Sequence, residues 1–185
     1  MMNSPKDSLQ PLSITVLCCS MNPESKSTSL AKELIHKISL GDVLNVNTIM
    51  LLDLPPIYCN GGELEAYPDA WQNAAQTVRT SDAVIIAHPV HNYGASGATF
   101  NALEIIGEAL KDKPVLILSA AGSIRSHLAS SSLMHALFFE FGCQLYPKTL
   151  QIAGDDTLAS LGERIDELSE GFQQFCKKNK SSPEN

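Results

Sequence analysis

The sequence carries neither G-x-G-x-x-G nor G-x-x-x-x-G-K-[ST], so the two common glycine-rich phosphate loops are both missing. This argues against a dinucleotide site of the Rossmann kind and against an ATPase. Positive charge is scarce. Thirteen Lys and Arg stand against 20 Asp and Glu, for a formal net charge of -7. That excludes nucleic acid as the main partner, because phosphate contacts need a basic face. No C-x-x-C occurs, and the five cysteines (Cys18, Cys19, Cys59, Cys143 and Cys176) are odd in number. They read as small buried residues in a reduced, cytoplasmic compartment, not as a metal or disulfide framework. No apolar run approaches the roughly 20 residues of a membrane span. Met1 to Pro11 is polar and lacks a signal-peptide apolar region.

What remains is a chain of 185 residues, 44% hydrophobic and 18% charged. This composition excludes disorder and suits one domain, residues 1–185, with loose tails at about 1–11 and 177–185. Short apolar runs alternate with helical patterns. The run Ser13 to Cys19 suits a buried strand. Leu30, Leu34, Ile35 and Ile38 mark a helix face, with Gly41 as its stop. Val43 to Leu51 reads as a second strand and Asp53 to about Pro68 as a long loop. A short helix over Ala70 to Arg79 leads to the clearest buried strand, Ala83 to Ala87. His88 to Gly97 reads as a loop, followed by a helix carrying Leu103, Ile106 and Leu110. Val115 to Leu118 is a further strand. A helix follows from about Arg125 to Phe141, stopped by Gly142. The last strand falls within Cys143 to Ile152. Leu158, Leu161, Ile165, Leu168, Phe172 and Phe175 mark an amphipathic last helix.

Such alternation predicts an α/β fold: five parallel strands in the flavodoxin-like order 2-1-3-4-5, with helices on both faces. Ligands of these sheets sit outside the carboxyl ends of the strands, at the switch point between the first and third. Three unusual loops meet there. The first, Ser20 to Ser29, is dense in hydroxyls and opens a helix. A helix N-terminus offers unpaired N–H groups and the positive end of the dipole, and Lys26 adds charge. The same composition also suits a plain helix cap, and the loop alone leaves both readings open. As an anion site it best fits a mononucleotide phosphate. The second loop, His88 to Gly97, brings rings, amides and small residues suited to a flat heteroaromatic ligand. Ser96 is placed to cap the next helix. The third, Ala121, Gly122 and Ser123, lets backbone approach a ring. His88 and His91 match no zinc spacing, so no metal is expected. His127 reads as structural, and Ser126, Ser130, Ser131 and Ser132 as surface or packing residues.

Ser20-x-Asn22-x-x-Ser25-x-Ser27-x-x-Leu30–Ala31 resembles the G-S-x-R-x-x-S-x-[NST]-x-x-L-A loop of the NADPH-dependent FMN reductase family. Asp53–Leu54–Pro55 resembles that family's D-L-P element. The run from Pro89 to Ala98 resembles its P-x-Y-x-x-x-x-S-G-x segment. Ser25 to Leu30 is similar to the branch that supplies reduced flavin to alkanesulfonate monooxygenases. The resemblance implies a flavodoxin-like FMN-dependent NAD(P)H oxidoreductase passing hydride from nicotinamide to flavin, and onward to a flavin, a quinone or another small acceptor. It implies that Ser20, Ser25 and Ser27, with neighbours Asn22, Lys26, Thr28 and Ser29, hold the FMN phosphate. Pro89, Val90, His91, Asn92 and Tyr93 would line the isoalloxazine ahead of Ser96 and Gly97, with Ala121, Gly122 and Ser123 near its other side. No catalytic side chain is expected, because the chemistry is the cofactor's. A homodimer or homotetramer and a partner monooxygenase are further implications. Cys19 stands where the family has Gly, Asn22 where it has Arg and His91 where it has Tyr. A non-enzymatic flavin carrier, or an assembly protein that kept the fold and lost the ligand, are the alternative readings.

Overall fold

The computed structural model describes residues 11–39 and 44–180. Gly41, expected to stop the first helix, lies outside them, as does Val43. Strand β1 (Leu12–Cys18) is buried almost throughout, and β2 (Leu44–Met50) pairs with it in parallel. β3 (Ala83–His91) lies on the other side of β1, and β5 (Pro114–Ala121) beyond β3. The outer position is shared by β6 (Gln144–Leu145) and β7 (Leu150–Ala153), both parallel to β5. One expected last strand is therefore two short ones. Apart from the hairpin strand β4 (Gly94–Ala95), the strands follow the expected flavodoxin-like order.

Strand alternation sends side chains to two cores. On one face, α1 (Lys26–Ser39) and α5 (Gly162–Lys180) cover Ile14, Val16, Ile85, Leu116 and Leu118. On the other, α2 (Asp69–Arg79) and α3 (Gly97–Ile106) cover Leu17, Val84, Ile86, Val115 and Ile117. Helix α5 continues through Lys180, so residues 177–180 form its last turn, not the start of a loose tail.

Two further expectations need correction. The segment read as a loop from His88 continues β3 to His91 and then folds back. Pro89 suggested a break because it lacks an N–H, yet it stays in register opposite Ala120. Val90 pairs with Ala95 and His91 with Gly94, leaving Asn92 and Tyr93 as a two-residue turn. Both have positive φ, 51° and 63°, as this tight turn type requires. Tyrosine is costly there by about 1 kcal/mol. Tyr93→Gly is accordingly expected to stabilise the fold by about 1 kcal/mol, read as a higher denaturant midpoint at unchanged slope.

The helix expected over residues 125–141 is also broken. A 3₁₀ turn (Ile124–Ser126) leads to a short α4 (Ser131–His135) that widens into a π-turn over Ala136–Glu140. The segment 126–132 holds four serines, which compete with helical hydrogen bonding. Gly142, at φ 61°, ends the element, and Cys143 N–H returns to Leu137 O at 2.9 Å. Leu110 likewise falls past α3, in a 3₁₀ turn over Gly107–Leu110.

Candidate functional site

The carboxyl ends of β1, β3 and β5 open onto a cavity of about 530 Å³. Its wall comprises Ser20, Met21, Asn22, Ser25 and Lys26 from the connection after β1, and Pro89, His91, Ser96, Gly97 and Ala98 from the hairpin and α3. Ala120 of β5 completes it. The volume suits a nucleotide-sized ligand. Eight of the expected residues line it: Ser20, Asn22, Ser25, Lys26, Pro89, His91, Ser96 and Gly97. Ser27, Thr28 and Ser29 stand behind them on the first turn of α1. Val90, Asn92, Tyr93, Ala121, Gly122 and Ser123 lie off the wall, at the hairpin tip and the connection after β5. Met21, Ala98 and Ala120 are added by the structure, each an immediate neighbour of an expected residue.

The floor is built from hydroxyls. Ser20, Ser25, Ser27 and Thr28 are all buried. Ser25 caps α1: its Oγ accepts from Thr28 N–H at 3.3 Å, and it lies 2.9 Å from Ser27 Oγ. Ser29 turns its hydroxyl back to Ser25 O, 3.0 Å away. The loop braces itself, since Asn22 N–H donates to Ser20 Oγ and Glu24 N–H donates to Asn22 Oδ1. The amide oxygen of Asn22 is thus committed to the loop. Thr28 Oγ1 is buried without a hydrogen-bond partner. The cap engages the Thr28 N–H of the first turn, and a helix N-terminus leaves its other first-turn N–H groups without intrahelical partners.

Lys26 Nζ donates to Gly154 O at 3.2 Å. It therefore stands at the cavity lip, between the connection after β1 and the one after β7. Cys19 does not enter the loop. It is fully buried, packs in the core beneath the sheet, and its Sγ faces Leu17 O. Burial pushes its thiol up to about 12, so it stays a neutral packing group. Ser96 caps α3 as expected, accepting from Thr99 N–H at 3.3 Å. His91 is exposed at the wall.

His88 has a different setting from the one expected of a loop residue. It is wholly buried on β3, with Nε2 2.9 Å from Ser130 Oγ. Burial pushes its imidazole down from the ordinary histidine range, and a hydrogen bond to Pro89 O opposes this only partly. The unfolded chain therefore binds a proton at His88 that the folded chain refuses. Its contribution to stability is complete above about pH 6.5 and is lost as pH falls toward the lower folded value. Denaturant midpoints measured from pH 7 to 5 are expected to drop as the unfolded chain takes up the proton that buried His88 does not. His88→Gln is expected to remove that share of the drop.

Two connections of a flavodoxin-like sheet and the end of β5 meeting at a cavity rich in hydroxyls define a mononucleotide-binding α/β protein. The chain belongs to the NADPH-dependent FMN reductase family, whose model matches residues 12–157. Its cofactor is FMN and its electron donor NAD(P)H, and it is an oxidoreductase. It is 27% identical over 172 residues to a quinone reductase of Pseudomonas putida, covering 89% of this chain and 90% of that one. Among solved structures it is similar to the apo form of the NADH:FMN oxidoreductase EMOB, with a TM-score of 0.77 at 19% identity. That match covers 93% of this chain and 92% of the other. It is also similar to flavodoxin 1 of Bacillus cereus, with a TM-score of 0.63 at 11% identity over 88% and 97% of the two chains. These two likenesses concern the fold.

Proposed function

We propose that this protein transfers hydride equivalents from NAD(P)H through FMN to a quinone-class acceptor. The supporting observation is the buried hydroxyl cluster of Ser20, Ser25 and Ser27 before and within the first turn of α1, a composition that fits a phosphate dianion. Ser20, Ser25, Ser27 and the first-turn N–H groups hold the phosphate, with Lys26 supplying charge in place of the family's arginine. Asn22, Thr28 and Ser29 shape the turn around it. Pro89, His91, Ser96 and Gly97 on the cavity wall would hold the ring, and Val90, Asn92, Tyr93, Ala121, Gly122 and Ser123, just off the wall, would flank it. Bound there, FMN would supply the hydride-accepting and electron-releasing chemistry. The chain's part is to hold the ring, orient the nicotinamide and leave the outer face open. Overall, NAD(P)H, a proton and a quinone give NAD(P)⁺ and a hydroquinone.

The quinone reductase relative motivates the choice of acceptor. NADPH oxidation by FMN-loaded protein is expected to run faster with benzoquinone than with free FMN as acceptor. The reverse ranking would overturn this choice and favour delivery of reduced flavin, as to a partner monooxygenase.

The protein is further proposed to self-associate as a homodimer or homotetramer. Phe138 and Phe139 are 56% and 77% exposed beside a groove between α3 and the π-turn that mixes apolar residues such as Phe100, Leu103 and Phe141 with Glu104, Glu108 and Glu140. Large exposed rings clustered in this way mark interaction surfaces. Light scattering at micromolar protein tests it, and a monomer mass would rule it out. All five cysteines are free, which favours a reducing, cytoplasmic setting. Among the described residues no helix is long and apolar enough to cross a membrane.

A further inference from the structure

His88 sits on the sheet face that Val84 and Ile86 otherwise fill with hydrocarbon. It pairs in register with Ser119 of β5, and Ser119 pairs with Gln151 of β7. Register places partners of a parallel ladder on one face. Three polar side chains therefore stand in a row across three neighbouring strands. Ser119 is buried, and the side-chain nitrogen of Gln151 is buried without a partner. A polar row costs more than an apolar one in such a place, so packing alone does not account for it.

The hydrogen bonds of His88 show what it joins. Nδ1 lies 3.2 Å from Pro89 O and Nε2 lies 2.9 Å from Ser130 Oγ. A carbonyl only accepts, so Nδ1 carries the proton and Nε2 accepts from the serine hydroxyl. Pro89 is the first residue of the β3 wall of the cavity. Ser130 ends the connection that leaves β5 and stands directly before α4. That connection is exposed for much of its length, with Ile124 74% and Leu128 60% accessible. Where it starts, the carbonyl of Ala121, the last residue of β5, accepts from Gly154 N–H at 3.3 Å. One imidazole thus links the β3 wall of the cavity to the far end of the exposed connection that follows Ala120, the β5 residue on that wall.

We propose that His88 is a positioning residue, whose bond to Ser130 fixes the spacing between the Pro89–His91 wall and the 121–130 connection and so sets the grip on the flavin ring. The part concerning flavin rests on the ring placement proposed above. The part concerning the connection does not.

The test uses the full-length protein and three variants, His88→Leu, Ser130→Ala and His88→Gln. Amide hydrogen exchange on the flavin-free protein is expected to quicken at least tenfold in residues 121–130 for His88→Leu and Ser130→Ala, with β1 unchanged. His88→Gln, whose amide reaches Ser130, is expected to restore protection. In parallel, the dissociation constants of FMN and riboflavin are expected to rise by the same factor, about 5- to 10-fold, with a shift of the bound flavin's visible bands. Equal factors identify an effect on the ring rather than the phosphate. Should His88→Leu fail to fold, Ser130→Ala, a single-atom deletion, carries the test. Unchanged exchange in Ser130→Ala would overturn the proposal. Faster exchange with unchanged flavin affinity would overturn its functional part. Wild-type protein that binds no flavin would defeat the ring placement, and the exchange data on flavin-free protein would still decide the link itself.

Discussion

Lys26→Glu is expected to weaken FMN binding by roughly 10- to 100-fold while leaving riboflavin binding unchanged. The argument begins with charge. The floor of the cavity is hydroxyl and amide, so it meets a phosphate with dipoles only. Asn22 occupies the position where the family carries arginine, and its amide oxygen is already used by Glu24 N–H. Lys26 is the cation on the cavity wall. Its ammonium is a point charge on a flexible stem, so it loses the forked contact of a guanidinium but keeps the Coulomb attraction. Reversing its sign turns attraction into repulsion at contact distance. Solvent at the lip screens both, which holds the effect to one or two orders of magnitude. Riboflavin has the same ring without the phosphate and isolates the term. Titration of intrinsic flavin fluorescence at two ionic strengths measures it, and the FMN difference is expected to shrink as salt rises. Equal losses for FMN and riboflavin would mean that Lys26 holds the ring side or the fold, and not the phosphate.

The same residue illustrates how far a sequence can be read. The alternation of apolar runs and helical patterns was enough for the sheet order, because parallel strands buried on both faces leave continuous Val, Ile and Leu runs such as Val84–Ile86. The hydroxyl loop was legible for the same reason: its composition is local and its place follows from strand order. What Lys26 touches was not legible. Gly154 lies 128 positions away, and nothing near Lys26 in sequence announces it. His88 was hidden by its neighbour, since Pro89 reads as a strand end and a histidine beyond a strand end reads as a loop residue. Only the register with Ala120 reveals that β3 runs on. Ser130 was hidden by company, one serine among several with no local feature to mark it. The broken helix over 124–140 was missed because Leu133, Leu137 and Phe141 do keep a four-residue spacing. That spacing survives a π-turn, whose extra residue changes hydrogen bonding more than it changes which side chains face the core.

Gly107→Ala is expected to destabilise the fold by about 2–3 kcal/mol, lowering Tm by roughly 5–10 °C. Gly107 opens the 3₁₀ turn that follows α3 and is buried. A methyl group there would overlap the ring of Phe141 at three of its carbons. The ring has little room to yield. Phe141 ends the π-turn segment, its carbonyl accepts from Asp112 N–H at 3.0 Å, and Gly142 beyond it holds a left-handed turn. Moving the ring would disturb the stop of that element, and moving the backbone would shift α3 away from Val115 and Ile117. The clash is steric and specific to one partner, which makes it separable. Phe141→Leu removes the atoms in conflict and is expected to cost stability alone, through lost burial, but to restore part of it on the Gly107→Ala background. Thermal unfolding of the two single variants and the double variant reads the coupling, and an additive double variant would show that the ring is not what the methyl meets. The consequence reaches the site through α3, whose first turn carries Gly97 and Ala98 on the cavity wall. Retained FMN affinity in folded Gly107→Ala protein would place the strain wholly at the distal end of that helix.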